Sequence, residues 1–268
     1  MSIPSLDHST SAIVSRLRKA GCVFAEDEAE MIMSAAGDAA ALEEMVERRA
    51  VGLPLEHVVG YAEFRGLRIE VDAEVFVPRR RTEALVREAA LLAPARAVVV
   101  DLCCGSGALG VALAAALEDV ELHAADVDPA AVRCARRNVT PAGGTVYEGD
   151  LFAPLPAGLK GRVDVLLSNV PYVPTVEIEL LPAEARDHEA RVALDGGVDG
   201  LEILRRVVAE AAEWLAPSGV LLFETSERQA DEAVAAVTGA GLRARVATDD
   251  ELDATVIIAT RSDAPGAS

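Results

Sequence analysis

A chain of 268 residues with 51% hydrophobic side chains can bury one large core, or a main core with a small annex beside it. Its formal charge of −19 repels a phosphate backbone over most of the surface, which disfavours nucleic acid as a substrate. No segment has the uninterrupted apolar run of a membrane span, and the opening MSIPSLDHST lacks the basic start and apolar stretch of a signal peptide, so a cytoplasmic protein with no membrane partner is expected.

The first periodic stretch covers residues 10 to 50, where Ile13, Val14 and Leu17, then Met31 and Ile32, then Leu42, Met45 and Val46 recur at helical spacing. It predicts a small helical annex. The following GLPLEHVVGYAEFRGLRIEVDAEVFV, residues 52–77, sets turn glycines between short alternating segments and predicts a connecting β-hairpin, with a domain boundary near residue 75. Beyond it, apolar runs alternate with helical patterns: AVVVDL, GVALAAALE, VELHAAD, PAAVRCARRN, TVYEGD and VDVLLSN, then LEILRRVVAEAAEWL, GVLLFET and SERQADEAVAAVTGAG. Such alternation predicts an α/β fold with a parallel sheet and helices on both faces. The last two strands, LRARVAT and ATVIIAT, are joined only by DDELD, which predicts a closing antiparallel hairpin. Seven strands ending this way form the Rossmann-like sheet of AdoMet-dependent methyltransferases rather than that of nicotinamide dehydrogenases. The expected division is 1–75 for the helical annex and hairpin, 76–262 for the methyltransferase domain and 263–268 for a disordered tail. The four cysteines, Cys22, Cys103, Cys104 and Cys134, show neither metal-site spacing nor a CxxC pair and are expected as reduced thiols.

AVVVDL runs into Cys103-Cys104-Gly105-Ser106-Gly107 before a helical pattern opens. A tight turn there aims backbone N–H groups and a helix N-terminus at a ligand, and Gly105 and Gly107 leave room for its closest approach. Asp126, 19 residues beyond Gly107, closes the next strand, where its carboxylate can accept from both ribose hydroxyls of a nucleotide-like cofactor. Asp150 is placed for the adenine amino group, with Leu151 against the ring. The plainer alternatives are helix capping by Asp126 or Asp128 and a turn role for Asp150; Asp128, directly before Pro129, is the better cap. The glycines alone also admit NAD, but CCGSG departs from GxGxxG. Cys103 and Cys104 read as small linings of the turn, since nothing pairs either with a histidine base.

The apolar strand VDVLL ends in Ser168-Asn169-Val170-Pro171-Tyr172, a composition that points to methyl transfer onto an amide nitrogen. Such a nitrogen is a poor nucleophile because its lone pair is delocalised, so the site must orient it. The Asn169 side-chain oxygen can accept one N–H and the Val170 carbonyl the other. Pro171 fixes its own φ and biases Val170 towards an extended conformation. Tyr172 supplies a wall for a planar group and a ring face for the sulfonium cation. The alternative is a strand end followed by an ordinary Pro-containing turn.

With these motifs the chain resembles the HemK/PrmC family of protein-(glutamine-N5) methyltransferases. The similarity runs from about residue 52 to residue 260 through FVPRRRTEALV, DLCCGSGALG, AADVDPAAVRCARRN, GDLF, SNVPYVP, ALDGGVDGL and FETSERQ. The resemblance implies methylation of the glutamine in the GGQ loop of a peptide release factor, with S-adenosyl-L-methionine as donor, S-adenosyl-L-homocysteine as product and no metal. It implies that Cys103 through Gly107, Asp126, Leu151 and Asn169 surround AdoMet, that Asn169 through Tyr172 hold the glutamine amide, and that the annex recognises a protein partner. Arg79, Thr82 and Glu83 match the family's PRxxTE element near the active-site mouth; a plain helix start, with Thr82 capping and Arg79 solvated, is the alternative. The chain departs from the family pattern at Val170 (NPPY becomes NVPY), at Cys103 and Ser226 in place of glycines, at Arg80 and Arg81 in place of Pro-Asp, and at Ala190 in place of the EP proline. It reads as a divergent paralogue.

Three other readings stand beside this one. An exocyclic base amine fits a similar Asn-Pro-Pro-aromatic site but not the negative charge. A small-molecule amine or amide would suit an annex that closes over a small pocket. A non-catalytic AdoMet-binding interaction protein would have lost turnover through Val170 and Cys103. His57 in the hairpin region, His123 in a strand and His188 in a polar loop are weak candidates, and Asp187-His188-Glu189 lacks metal-site spacing.

Overall fold

A computed structural model describes residues 9–262, so the tail expected at 263–268 lies outside the described residues. Three helices open the chain, α1 (Thr10–Lys19), α2 (Ala25–Ala35) and α3 (Ala39–Ala50). Ser9 Oγ accepts from the Ala12 N–H and Asp38 Oδ1 from the Ala41 N–H, which caps α1 and α3. Ile13, Leu17, Ala29, Ile32 and Val46 meet in a core of their own. The 52–77 segment departs from a simple hairpin at its start. Pro54 precedes a short helix, α4 (Leu55–Val59), which ends at Gly60 in the left-handed conformation, because Val58 and Val59 join the annex core. The hairpin is confined to β1 (Tyr61–Phe64) and β2 (Leu67–Glu70), paired antiparallel as a separate sheet.

After α5 (Glu83–Leu92) the chain runs through β3 (Arg96–Leu102), α6 (Ala108–Ala116), β4 (Asp119–Asp126), α7 (Pro129–Val139), β5 (Thr145–Glu148) and β6 (Val163–Ser168). Two short helices follow, α8 (Ala183–His188) and α9 (Arg191–Leu194), then α10 (Glu202–Trp214), β7 (Leu215–Thr225), α11 (Ala230–Gly239), β8 (Leu242–Asp249) and β9 (Ala254–Arg261). The seven strands lie in the order β5-β4-β3-β6-β7-β9-β8. Only β9 is antiparallel to its neighbours, so the sheet is the doubly wound one with the closing hairpin.

Both faces of this sheet are buried. Along β3, Ala97 and Val99 pack with residues of α5, α6 and α7, while Val100 and Leu102 face α10, α11 and the stacked rings of Phe152 and Trp214. Burial on two sides is why the strands read as continuous apolar runs rather than as alternating ones. Strand order reverses at β3, whose neighbours are β4 on one side and β6 on the other. In open α/β sheets the crevice beyond the carboxyl ends of such strands is the ligand site. No described helix is long and apolar enough to cross a membrane.

Candidate active site

A cavity of about 630 Å³ opens over the ends of β3 and β6. Among its lining residues are Cys103, Cys104, Gly105, Ser106, Asp126, Asp150 and Leu151 on one side, and Asn169, Val170, Pro171, Tyr172 and Arg79 on the other. Gly107, expected with the first group, does not line it. Its φ is +80°, and a Cβ there would come 2.6 Å from Val139 Cγ2, so the glycine serves the packing of the turn against α7.

Asp126 holds the turn together. Its Oδ2 accepts from the Gly105 N–H at 2.8 Å and its Oδ1 from the Asp128 N–H at 2.9 Å. It is Asp128 that caps α7, accepting from Ala130 N–H just after Pro129. Each Asp126 oxygen keeps a second lone pair for a ligand hydroxyl. Burial raises the Asp126 carboxyl above the ordinary carboxylate range. Cys103 adopts φ +53°, the conformation that makes glycine usual at this position. Burial, followed by the charges of Asp126 and Asp101, pushes its thiol well up, which leaves it neutral rather than a nucleophile. Asp150 is exposed and its Oδ2 accepts from Arg206 Nη2 at 2.5 Å, so it enters the site already paired.

On the other side, the Asn169 Oδ1 is buried and has no hydrogen-bond partner among the described residues. The Val170 side chain is sunk in the core beneath the sheet, which pins the peptide, and no described hydrogen bond occupies the Val170 carbonyl. The Tyr172 hydroxyl receives Arg81 Nη2 and donates to Glu224 Oε1 at 3.2 Å. Burial and then the Glu224 charge push the phenol up to about 12, so it keeps its proton at neutral pH.

The turn is braced from behind by residues to which sequence reasoning assigned no role. Val173 N–H donates to the Leu194 carbonyl, Gly196 N–H to the Val173 carbonyl, and Gln229 Nε2 to the carbonyls of Tyr172 and Asp199. Ser226 Oγ bonds Gln229 Oε1 at 2.6 Å and so orients that amide; with φ −75°, Ser226 has no need to be glycine. The available signal was the pair of strings ALDGGVDGL and FETSERQ, which the family resemblance includes without explaining. Ala190, where the family carries proline, uses its extra donor on the Glu74 carbonyl at 2.9 Å.

Neither half of the plain helix-start alternative matches the geometry. Thr82 makes no side-chain cap bond, and its Oγ1 is buried at the cavity without a partner among the described residues. Arg79 is not simply solvated: its Nη2 donates to the buried Glu189 at 2.6 Å and its guanidinium lies over Phe76. Glu83 turns away from the mouth and accepts from the Arg65 N–H, and exposed Arg80 does not line the cavity. His188 ends α8 rather than lying in a loop, because Pro182 starts a helical turn, and it does not reach the cavity. His57 lies in α4, where its Nε2 donates to the Val75 carbonyl; His123 lies in β4 beside Tyr147.

The family model described as methyltransferase small domain matches residues 80–239. A release factor glutamine methyltransferase of Geobacter sulfurreducens is 42% identical over 72% of this chain and 67% of its own length. One of Moorella thermoacetica is 38% identical over 85% of this chain and 81% of its own. The crystal structure of a methyltransferase from Pyrococcus furiosus shares the fold with a TM-score of 0.55 at 17% identity, covering 74% of this chain and 90% of that one.

Proposed function

The chain belongs to the release factor glutamine methyltransferase family, and on that premise we propose that it methylates the glutamine amide of a release-factor GGQ loop at Asn169 through Tyr172. The observation that carries this reading is the Asn169 side-chain oxygen, a buried acceptor that lines the cavity and has no donor within the described chain. A buried acceptor left unmade is destabilising by about 1–3 kcal/mol, so a donor is expected from the substrate.

The cavity residues fit AdoMet. The volume is that of a small-molecule site, the Asp126 lone pairs suit ribose hydroxyls, Leu151 offers an apolar wall to adenine, and Asp150 can accept from its amino group while paired with Arg206. When bound, AdoMet supplies an electrophilic methyl on a sulfonium sulfur. Asn169 Oδ1 would take one N–H of the substrate amide and the Val170 carbonyl the other, which would fix the orientation of the amide nitrogen for methyl transfer. Pro171 keeps that carbonyl aimed outward, and the Tyr172 ring walls the amide plane. The phenol, protonated and held at its hydroxyl, is not a base in this scheme. None is needed, because the alkylated nitrogen is strongly acidic and loses its proton to water. The net charge of −19 also suits a protein substrate better than a nucleic acid.

The test incubates the protein with AdoMet and full-length release factor, and reads the GGQ peptide by mass spectrometry. One added methyl on the glutamine is expected. Asn169→Ala should abolish it while calorimetry still shows AdoMet binding; normal turnover by that variant would overturn the positioning role.

A further inference from the structure

Arg81 stands where the resembled family carries an acidic residue, in the single turn at Arg80–Thr82 that leads into α5. Its Nε donates to Glu224 Oε1 at 2.8 Å, and its Nη2 reaches the Tyr172 hydroxyl. That hydroxyl donates in turn to the same Glu224 oxygen. The anchor is firm: the Glu224 side chain is 3% exposed at the end of β7, whereas Arg81 is 46% exposed at the cavity wall. A phenol gripped from both sides holds its ring in one plane, while a phenol with a free hydroxyl turns more easily about its side-chain torsions.

We propose that Arg81 is a positioning residue that, anchored on Glu224, sets the angle of the Tyr172 ring against the reacting amide. This rests on the reading of Tyr172 as a wall of the amide site. Arg81 bonds to Glu224 and Tyr172 and not to the 103–107 turn, so its removal acts on turnover rather than on AdoMet affinity.

The experiment measures kcat with full-length release factor, and AdoMet Kd by calorimetry, for Arg81→Met, Arg81→Lys, Tyr172→Phe and the Arg81→Met/Tyr172→Phe pair. Each single change should lower kcat about tenfold with Kd unchanged, since small misplacements near the reacting atoms are felt strongly. The pair should be no worse than its poorer member, because both changes remove one shared contact. Arg81→Lys should resemble Arg81→Met, because an ammonium cannot reproduce the two-point fork. Losses that multiply in the pair, or unchanged kcat in Arg81→Met, would overturn the proposal. Should Arg81→Met not fold, Arg81→Lys, which keeps a positive charge opposite Glu224, decides alone: unchanged kcat refutes the clamp and a tenfold loss supports it. Asn169→Ala runs alongside, and its full turnover would sink the amide-site reading itself, whatever Arg81 does.

Discussion

Asp101, next to last in β3, has Oδ2 on the Gly110 N–H at 2.9 Å and Oδ1 without a partner among the described residues. Burial pushes its carboxyl up to about 8. The unfolded chain releases the same proton near the ordinary value of about 4. Between these values the folded state binds the extra proton, so this group's contribution is complete below about pH 4 and is lost as pH rises to about 8. Asp101→Asn cannot ionise and should gain in urea midpoint relative to the parent across that window; parallel curves would show that Asp101 does not carry the slope. Single residues were legible where chemistry and strand position coincide. Asp126 closes β4 and Asn169 follows directly on β6, and the structure places both at the cavity. Arg81 was not legible, because its anchor Glu224 is 143 positions away and no local pattern links them.

The strands were legible as elements because burial on two faces writes an uninterrupted apolar run into each. The helices α8 and α9, of six and four residues, are too short to show a period, so the 173–200 segment offers family strings but no readable elements. Yet this segment braces the 169–172 turn. Gly200 has φ +78°, and a Cβ there would lie 2.3 Å from the Tyr172 carbonyl oxygen and 2.5 Å from Gln229 Nε2. Neither neighbour can yield without moving the turn, since the carbonyl is backbone and the amide is held by Ser226. Gly200→Ala should therefore lower kcat by up to about a hundredfold, while AdoMet affinity stays put if, as proposed, the cofactor is held by the 103–107 side of the cavity. Gln229→Ala, which removes one donor without intruding, should fall between this variant and the parent. Parent-like kcat in Gly200→Ala would mean that the brace does not set the geometry of the turn.

At the scale of the whole molecule, the annex is tied to the cavity wall by a buried charge. Arg49 on α3 sends Nε and Nη2 to the two oxygens of Glu28 on α2, at 2.6 and 3.1 Å. Its Nη1 bonds both the Leu53 carbonyl and Glu184 on α8, a residue that lines the cavity. The two carboxylates differ in surroundings, because the Glu28 side chain is 10% exposed and that of Glu184 is 51% exposed. Removing the arginine leaves Glu28 as an unpaired buried charge, which is destabilising by about 3–5 kcal/mol. Neutralising Glu184 removes only a solvent-screened partner, worth about 1 kcal/mol or less. Arg49→Met should thus lose far more stability in urea than Glu184→Gln, and Arg49→Met/Glu28→Gln should recover part of the loss because no charge is then stranded. Equal small losses for Arg49→Met and Glu184→Gln would mean that water reaches Glu28, and that this buried charge is not what holds the annex to the cavity wall.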